Sequence, residues 1–271
     1  MGKKIETIIL NVAGFYIQIN LFQTEWIYSR DKFTRELLDY YHCFIVDKKD
    51  IEGDFIIDII EQRKFLYYNR NKVGLIELFR EKTSDHLTTY YQLSIIQFQL
   101  LINNALHYLL KKHNGCILHA SANALKDKAV VFLGPTGQGK STIMKLLNET
   151  YPALADDSVI LRKINNKLYV FQTPTMEKES WVKKSSNSYL LKSIFFLGKK
   201  ATSFHVMKLM DKNTILNALV KQLLVDQSNS KKQIIFLMDL LKDFTSFYSI
   251  QFLKKQNQLL DLFDRNLYEE K

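Results

Sequence analysis

Apolar and polar positions alternate in two different ways along the chain. Over the first part, short β-branched and aromatic runs at residues 5–10, 15–21, 43–46, 55–60, 64–68 and 73–79 are separated by polar turns, which predicts strands. A short helix is predicted among them at 31–41. At 93–112 the pattern becomes that of a long helix, with apolar residues at Ile95, Ile96, Leu100, Leu101, Ala105, Leu109 and Leu110, and it stops before Asn114-Gly115. The domain boundary is set there, giving a strand-rich region at 1–112 that ends in a long helix, and a second domain at 113–271.

Beyond the boundary, residues 116–124 predict a strand, Lys126-Asp127-Lys128 a turn, and 129–133 a short buried strand running directly into glycines. A helix at 140–150 carries Ile143, Met144, Leu146 and Leu147 on one face. A small apolar run at 153–155 ends at Asp156-Asp157. Strands at 159–161 and 168–171 flank Asn165-Asn166, a pair that readily takes the positive φ of a tight hairpin turn. A strand at 193–197 and helices at 212–225 and about 233–257 complete an α/β (α+β) order of elements.

Composition adds limits. The chain has 271 residues, 46% of them hydrophobic, which suffices for a substantial core; 9 Gly and 3 Pro leave no long flexible linker. A formal charge of +10 favours an anionic partner, but the cations are dispersed and Lys-heavy, which reads first as a solvated basic surface. Cys43 and Cys116 stand alone and far apart, so neither a disulfide framework nor a zinc site is expected, and a cytoplasmic setting fits. The opening residues are too briefly apolar for a signal peptide. The apolar stretch at 93–110 carries Gln97, Gln99, Asn103, Asn104 and His107, polar groups that lipid penalises, so it predicts a buried helix rather than a membrane span.

Gly134-Pro135-Thr136-Gly137-Gln138-Gly139-Lys140-Ser141 satisfies the pattern G-x-x-x-x-G-K-[ST], between a predicted strand and a predicted helix. Glycines let successive backbone N–H groups turn inward around phosphate oxygens, and the helix that follows aims its positive end at the same charge. Lys140 reaches the phosphates as a point cation. The Ser141 hydroxyl offers a hard oxygen to Mg²⁺. A nucleoside triphosphate with magnesium is therefore expected; ATP is the cofactor assigned, and no motif specifies the base.

A second acidic group must complete the metal shell or take a proton from the attacking nucleophile. Asp156-Asp157 follows soon enough for a strand-helix-strand unit to bring it beside Ser141; an Asx turn leading into the hairpin explains the pair equally well. His119, within an apolar strand, reads by itself as a hydrogen-bonded core residue. Asp239 ends another apolar run, but Leu240, Leu241, Phe244 and Phe247 continue it with the period of an amphipathic helix.

Leu118-His119-Ala120-Ser121, then Val130 to Leu133 running into Gly134 to Ser141, then Leu154-Ala155-Asp156-Asp157-Ser158-Val159, resemble the catalytic domain of HPr kinase/phosphorylase and its relatives, which include lasso-peptide serine kinases. The resemblance covers roughly residues 115–171. It implies a P-loop domain related to HPr kinase and phosphoenolpyruvate carboxykinase, with a mixed, more antiparallel sheet. It also implies Lys140 as the phosphate-binding lysine, with Thr142 following in the same loop, Ser141 and Asp157 at the metal, Asp156 as general base and His119 as an active-site residue near the phosphate.

There are departures. Thr142 stands where HPr kinases carry Glu, and nothing at 171–181 reproduces their later Glu-Ile-Arg-Gly-Leu-Gly signature. HPr itself and reverse phosphorolysis are accordingly not expected, and Glu177 and Glu179 receive no role. The function expected is transfer of the γ-phosphoryl group of ATP to a serine-type hydroxyl on a peptide or protein, the first region helping to position it. No nucleic acid or membrane partner is expected, and a homo-oligomer is left open. The alternatives are a nucleotide-binding regulatory protein without phosphotransfer and a small-molecule kinase.

Overall fold

The computed structural model describes residues 3–25, 27–47, 51–61, 78–198, 203–224, 230–257, 259–261 and 263. The chain divides into two compact units, Met1–Leu109 and Leu110–Lys271.

In the first unit, β1 (Lys4–Val12) and β2 (Phe15–Phe22) form an antiparallel hairpin whose turn, Ala13-Gly14, takes φ of 54° and 76°. Positive φ at both central residues matches the right-handed twist of the paired strands. There follow α1 (Ile27–Tyr41), a 3-10 turn at His42–Phe44, β3 (Phe55–Ile60), β4 (Phe79–Thr83), β5 (His86–Tyr90) and α2 (Ile95–Lys112). The sheet order is β1-β2-β3-β5-β4, with β3 parallel to both its neighbours. Phe33, Leu37 and Tyr41 form the buried face of α1, and Phe98 of α2 meets Phe33 edge-on at 5.3 Å between ring centroids.

Two expectations change here. Residues 43–46 form no strand, because the chain leaves α1 through the 3-10 turn and touches β1 by the single bridge Leu10–Ile45. On α2, Phe98, Leu101, Ile102, Ala105, Leu106 and Leu109 are buried, whereas Ile96 and Leu100 are 70% and 60% exposed. Two apolar stripes overlap on that helix, and packing rather than period decides which turns inward. The strand expected at 64–68 lies outside the described residues, as does most of that at 73–79, while β4 and β5 were not anticipated.

The second unit contains β6 (Gly115–Leu125), β7 (Lys128–Leu133), α3 (Lys140–Leu147), β8 (Ala153–Ala155), β9 (Ser158–Ile164), β10 (Lys167–Gln172) and β11 (Ser188–Leu197). After these come β12 (His205–Lys208), α4 (Lys212–Val220), β13 (Leu223–Leu224), α5 (Ser230–Asp243) and β14 (Phe247–Gln251). The sheet order is β10-β9-β6-β7-β11-β14-β12, with β8 and β13 also paired to β6. Since β7 is antiparallel to β6 and parallel to β11, the sheet is mixed, as expected for this fold class. A further pairing of β10 with β11 closes β6, β7, β11, β10 and β9 on themselves.

Alternate side chains of β7 serve opposite faces. Ala129, Val131 and Leu133 join Ile215 and Leu219 of α4 and Phe236, Leu237, Leu240 and Leu241 of α5. Val130 and Phe132 join Ile143 and Leu147 of α3. The strand that feeds the glycine loop is thus anchored in two cores, which holds the start of the loop in place.

Asn165 and Asn166 make the two-residue hairpin turn with φ of 47° and 61°, as their type predicts. The helix expected at about 233–257 is corrected: α5 ends at Asp243, and Phe247–Gln251 becomes a strand because β11 offers it a parallel edge and Phe247 and Ile250 fill the core. The helix expected at 212–225 ends at Val220, and Leu223–Leu224 pairs with β6; Val225 lies outside the described residues. No helix among the described residues is long and apolar enough to cross a membrane.

Candidate functional site

The glycine loop leaves β7 at Leu133 and enters α3 at Lys140, and two of its residues need a left-handed backbone: Gly137 at φ 83° and Gly139 at φ 97°. Glycine pays no Cβ penalty there. Lys140, 7% exposed, donates from Nζ to the carbonyl oxygen of Gly134 at 2.8 Å, which folds the ammonium back over the loop that it closes. Burial lowers the pKa of that ammonium, Asp157 opposes the fall and Lys178 adds to it.

Strand β6 sets the position of α3 through a period-two row of polar side chains. Ser121 donates to the Lys140 carbonyl at 3.0 Å, and Asn123 donates to the carbonyls of Met144 at 3.1 Å and Tyr151 at 2.7 Å. Both are fully buried, while Ala120, Ala122 and Ala124 between them face the apolar core. His119 opens the same row. Its Nδ1 lies 3.0 Å from the backbone oxygen of Asp157 and 3.5 Å from Oδ1. A carbonyl can only accept, so Nδ1 is the donor in this contact.

Asp156 and Asp157 link β8 to β9. The Asp156 side chain is buried, and its carboxylate accepts the backbone N–H of Lys178 at 3.2 Å and of Glu179 at 2.8 Å. Burial works to raise its pKa, but the side-chain hydrogen bond with Glu177 and these two amides outweigh it and hold the group below the ordinary carboxylate range. Glu177 goes the other way: burial and its bond to Asp156 raise it to about 7, against the pull of Lys184. The two carboxyls are therefore pushed apart, Glu177 up and Asp156 down. Asp157 is more open, and its Oδ1 accepts from Lys178 Nζ at 2.5 Å.

These groups surround one cleft of about 240 Å³. Thr136, Gly137, Gly139, Lys140, Ser141 and Thr142 line it from the loop and α3, and His119, Asp156, Asp157 and Lys178 complete it. The volume suits a polyphosphate chain better than a whole nucleotide. Gly134, Pro135 and Gln138 belong to the loop without lining the cleft; the Gln138 side-chain oxygen is buried beside Gly134 with no protein partner. Asp239, on α5, is exposed and paired with Lys242.

The donor set fits magnesium polyphosphate in kind: buried ammonium and glycine amides for phosphate oxygens, and the Ser141 hydroxyl and Asp157 carboxylate as hard oxygens for a cation that keeps most of its waters. Among the described residues no three His, Cys, Asp or Glu side chains gather into a metal cluster. Sequence reasoning missed Lys178, which has no motif around it. It also missed Ser121 and Asn123, although the polar-apolar alternation from His119 to Ala124 was a readable signal.

Among solved structures, the HPr(Ser) kinase/phosphatase from Coxiella burnetii matches at 13% identity and a TM-score of 0.30, over 56% of this chain and 95% of that one. At that score no residue role carries across. No curated protein matches the chain. A family model described as a cassette protein, and not as a kinase, extends from β5 into α5: SynChlorMet cassette protein ScmC, matching residues 86–236, which is more than half of the 271, so the chain belongs to the ScmC family.

Proposed function

We propose that this protein is an ATP- and magnesium-dependent kinase that transfers the γ-phosphoryl group to a serine-type hydroxyl on a peptide or protein. The observation that carries the reading is that Lys140, Ser141 and the Asp156-Asp157 pair share one cleft. A phosphate loop alone suffices for binding, whereas transfer also needs an acidic group within reach of the phosphoryl acceptor.

When bound, magnesium ATP supplies the phosphoryl group and a cation that offsets its charge. Loop amides and the Lys140 ammonium hold phosphate oxygens, and Ser141 with Asp157 provides hard oxygens for the metal. Asp156, ionised at neutral pH, takes the proton of the acceptor hydroxyl. Its hydrogen bonds weaken it as a base, so proton transfer accompanies phosphoryl transfer and does not precede it. His119 fixes Asp157 through its backbone oxygen. Cys43 and Cys116 are both unpaired, which suits a reducing cytoplasm.

Incubation with γ-labelled ATP and hydroxyl-bearing peptides, followed by mass spectrometry, tests the reading. A phosphopeptide that disappears with Asp156→Asn, while nucleotide affinity persists, supports it. The second reading, a nucleotide-responsive regulator without transfer, is favoured by the engagement of the Asp156 carboxylate with two backbone amides. Tight nucleotide binding with no label on any acceptor selects that reading, and label on an added metabolite selects a small-molecule kinase.

A further inference from the structure

Three consecutive residues between β10 and β11 are held very differently. Glu177 is buried, with its side chain on the Asp156 amide and paired with Lys184. Glu179 has its amide on Asp156 and its carboxylate 2.8 Å from Lys145 of α3. Between them the Lys178 backbone is held by the 3.2 Å bond of its N–H to Asp156. Its side chain is 72% exposed, and its ammonium reaches into the cleft to Asp157 at 2.5 Å. Lys178 lines the cleft together with Thr136, Gly137 and Lys140, which brings a second positive charge beside the phosphate loop.

We propose that Lys178 is a second phosphate-binding cation of this cleft, exchanging Asp157 for a phosphoryl oxygen when a divalent cation takes Asp157. A fixed backbone and a flexible four-carbon stem allow that swing without rearrangement of the loop. A divalent ion competes well for a carboxylate held by a single ammonium, and a polyphosphate stabilises both lysines together. The proposal rests on the nucleotide-binding half of the function proposed above and not on transfer.

The test compares the full chain with Lys178→Ala and Lys178→Arg by calorimetry with ATP at saturating Mg²⁺, and by electron paramagnetic resonance titration with Mn²⁺ alone. Lys178→Ala weakens ATP binding by about tenfold, the size of one charge-assisted contact. It tightens Mn²⁺ binding several-fold, since Asp157 loses its competitor. Lys178→Arg restores ATP affinity. If both affinities fall together, Lys178 is structural; if neither moves, it is a solvated bystander. Either result overturns the proposal. A wild-type chain that binds ATP in this way but phosphorylates nothing leaves it standing and removes the kinase reading.

Discussion

Glu177 Oε2 accepts the backbone N–H of Asp156 at 2.9 Å, while the Asp156 carboxylate accepts the amides of Lys178 and Glu179, the two residues that follow Glu177, so each carboxylate holds the backbone of the other's segment, and burial favours a proton on Glu177. That reciprocity ties the segment after β10 to the acidic turn between β8 and β9.

Stability should follow that proton. With Glu177 raised to about 7 by burial and by Asp156, the folded chain retains a proton that the unfolded chain releases near its ordinary 4.5. The stabilisation is therefore complete below the unfolded value and is lost as pH rises through the folded one. Thermal melts between about pH 5 and pH 8 should show Tm falling across that window, and Glu177→Gln, which cannot ionise, should flatten the fall. A slope that survives the substitution places the proton elsewhere.

Lys140→Met removes the ammonium that folds back on Gly134 and keeps most of the stem that packs in the loop. Nucleotide affinity should drop by about ten- to a hundred-fold, as one hydrogen-bonded charge contact implies. Calorimetry with magnesium ATP reads the loss, and an unchanged affinity would falsify the role given to Lys140.

Gly139 and Gly137 separate backbone strain from crowding. Both take left-handed φ, but a Cβ at Gly139 would lie 3.1 Å from Phe252 Cζ, while one at Gly137 meets nothing within 4 Å. Gly137→Ala should cost about 1–2 kcal/mol from the backbone alone. Gly139→Ala should cost more and also weaken nucleotide binding, because the strain sits at the first turn of α3. Urea unfolding of the two variants ranks them.

Asn123→Ala deletes the only side chain on β6 that donates to both the Met144 and Tyr151 carbonyls among the described contacts. Two acceptors next to a fully buried position lose their donor, and the expected loss is about 1–3 kcal/mol in chemical denaturation. Asn123→Asp, which keeps the shape but cannot donate when ionised, should lose at least as much.

The sequence by itself determined what depends on adjacent residues. Eight contiguous positions specify the phosphate loop, because glycine conformations and the start of a helix are local properties. Asn165-Asn166 likewise makes its turn from backbone preference alone, and the alternation from His119 to Ala124 already separates a core face from a polar face. Tertiary structure alone decided matters that depend on a distant partner. Phe247–Gln251 is apolar enough for helix or strand, and the open parallel edge of β11 makes it a strand. Ile96 and Leu100 look like core until packing turns Phe98 and Ile102 inward instead. Lys178 belongs to no motif; it reaches the cleft because Asp156, twenty-two residues earlier, captures its amide, a contact set by hydrogen bonding across the fold and not by any periodicity in the chain.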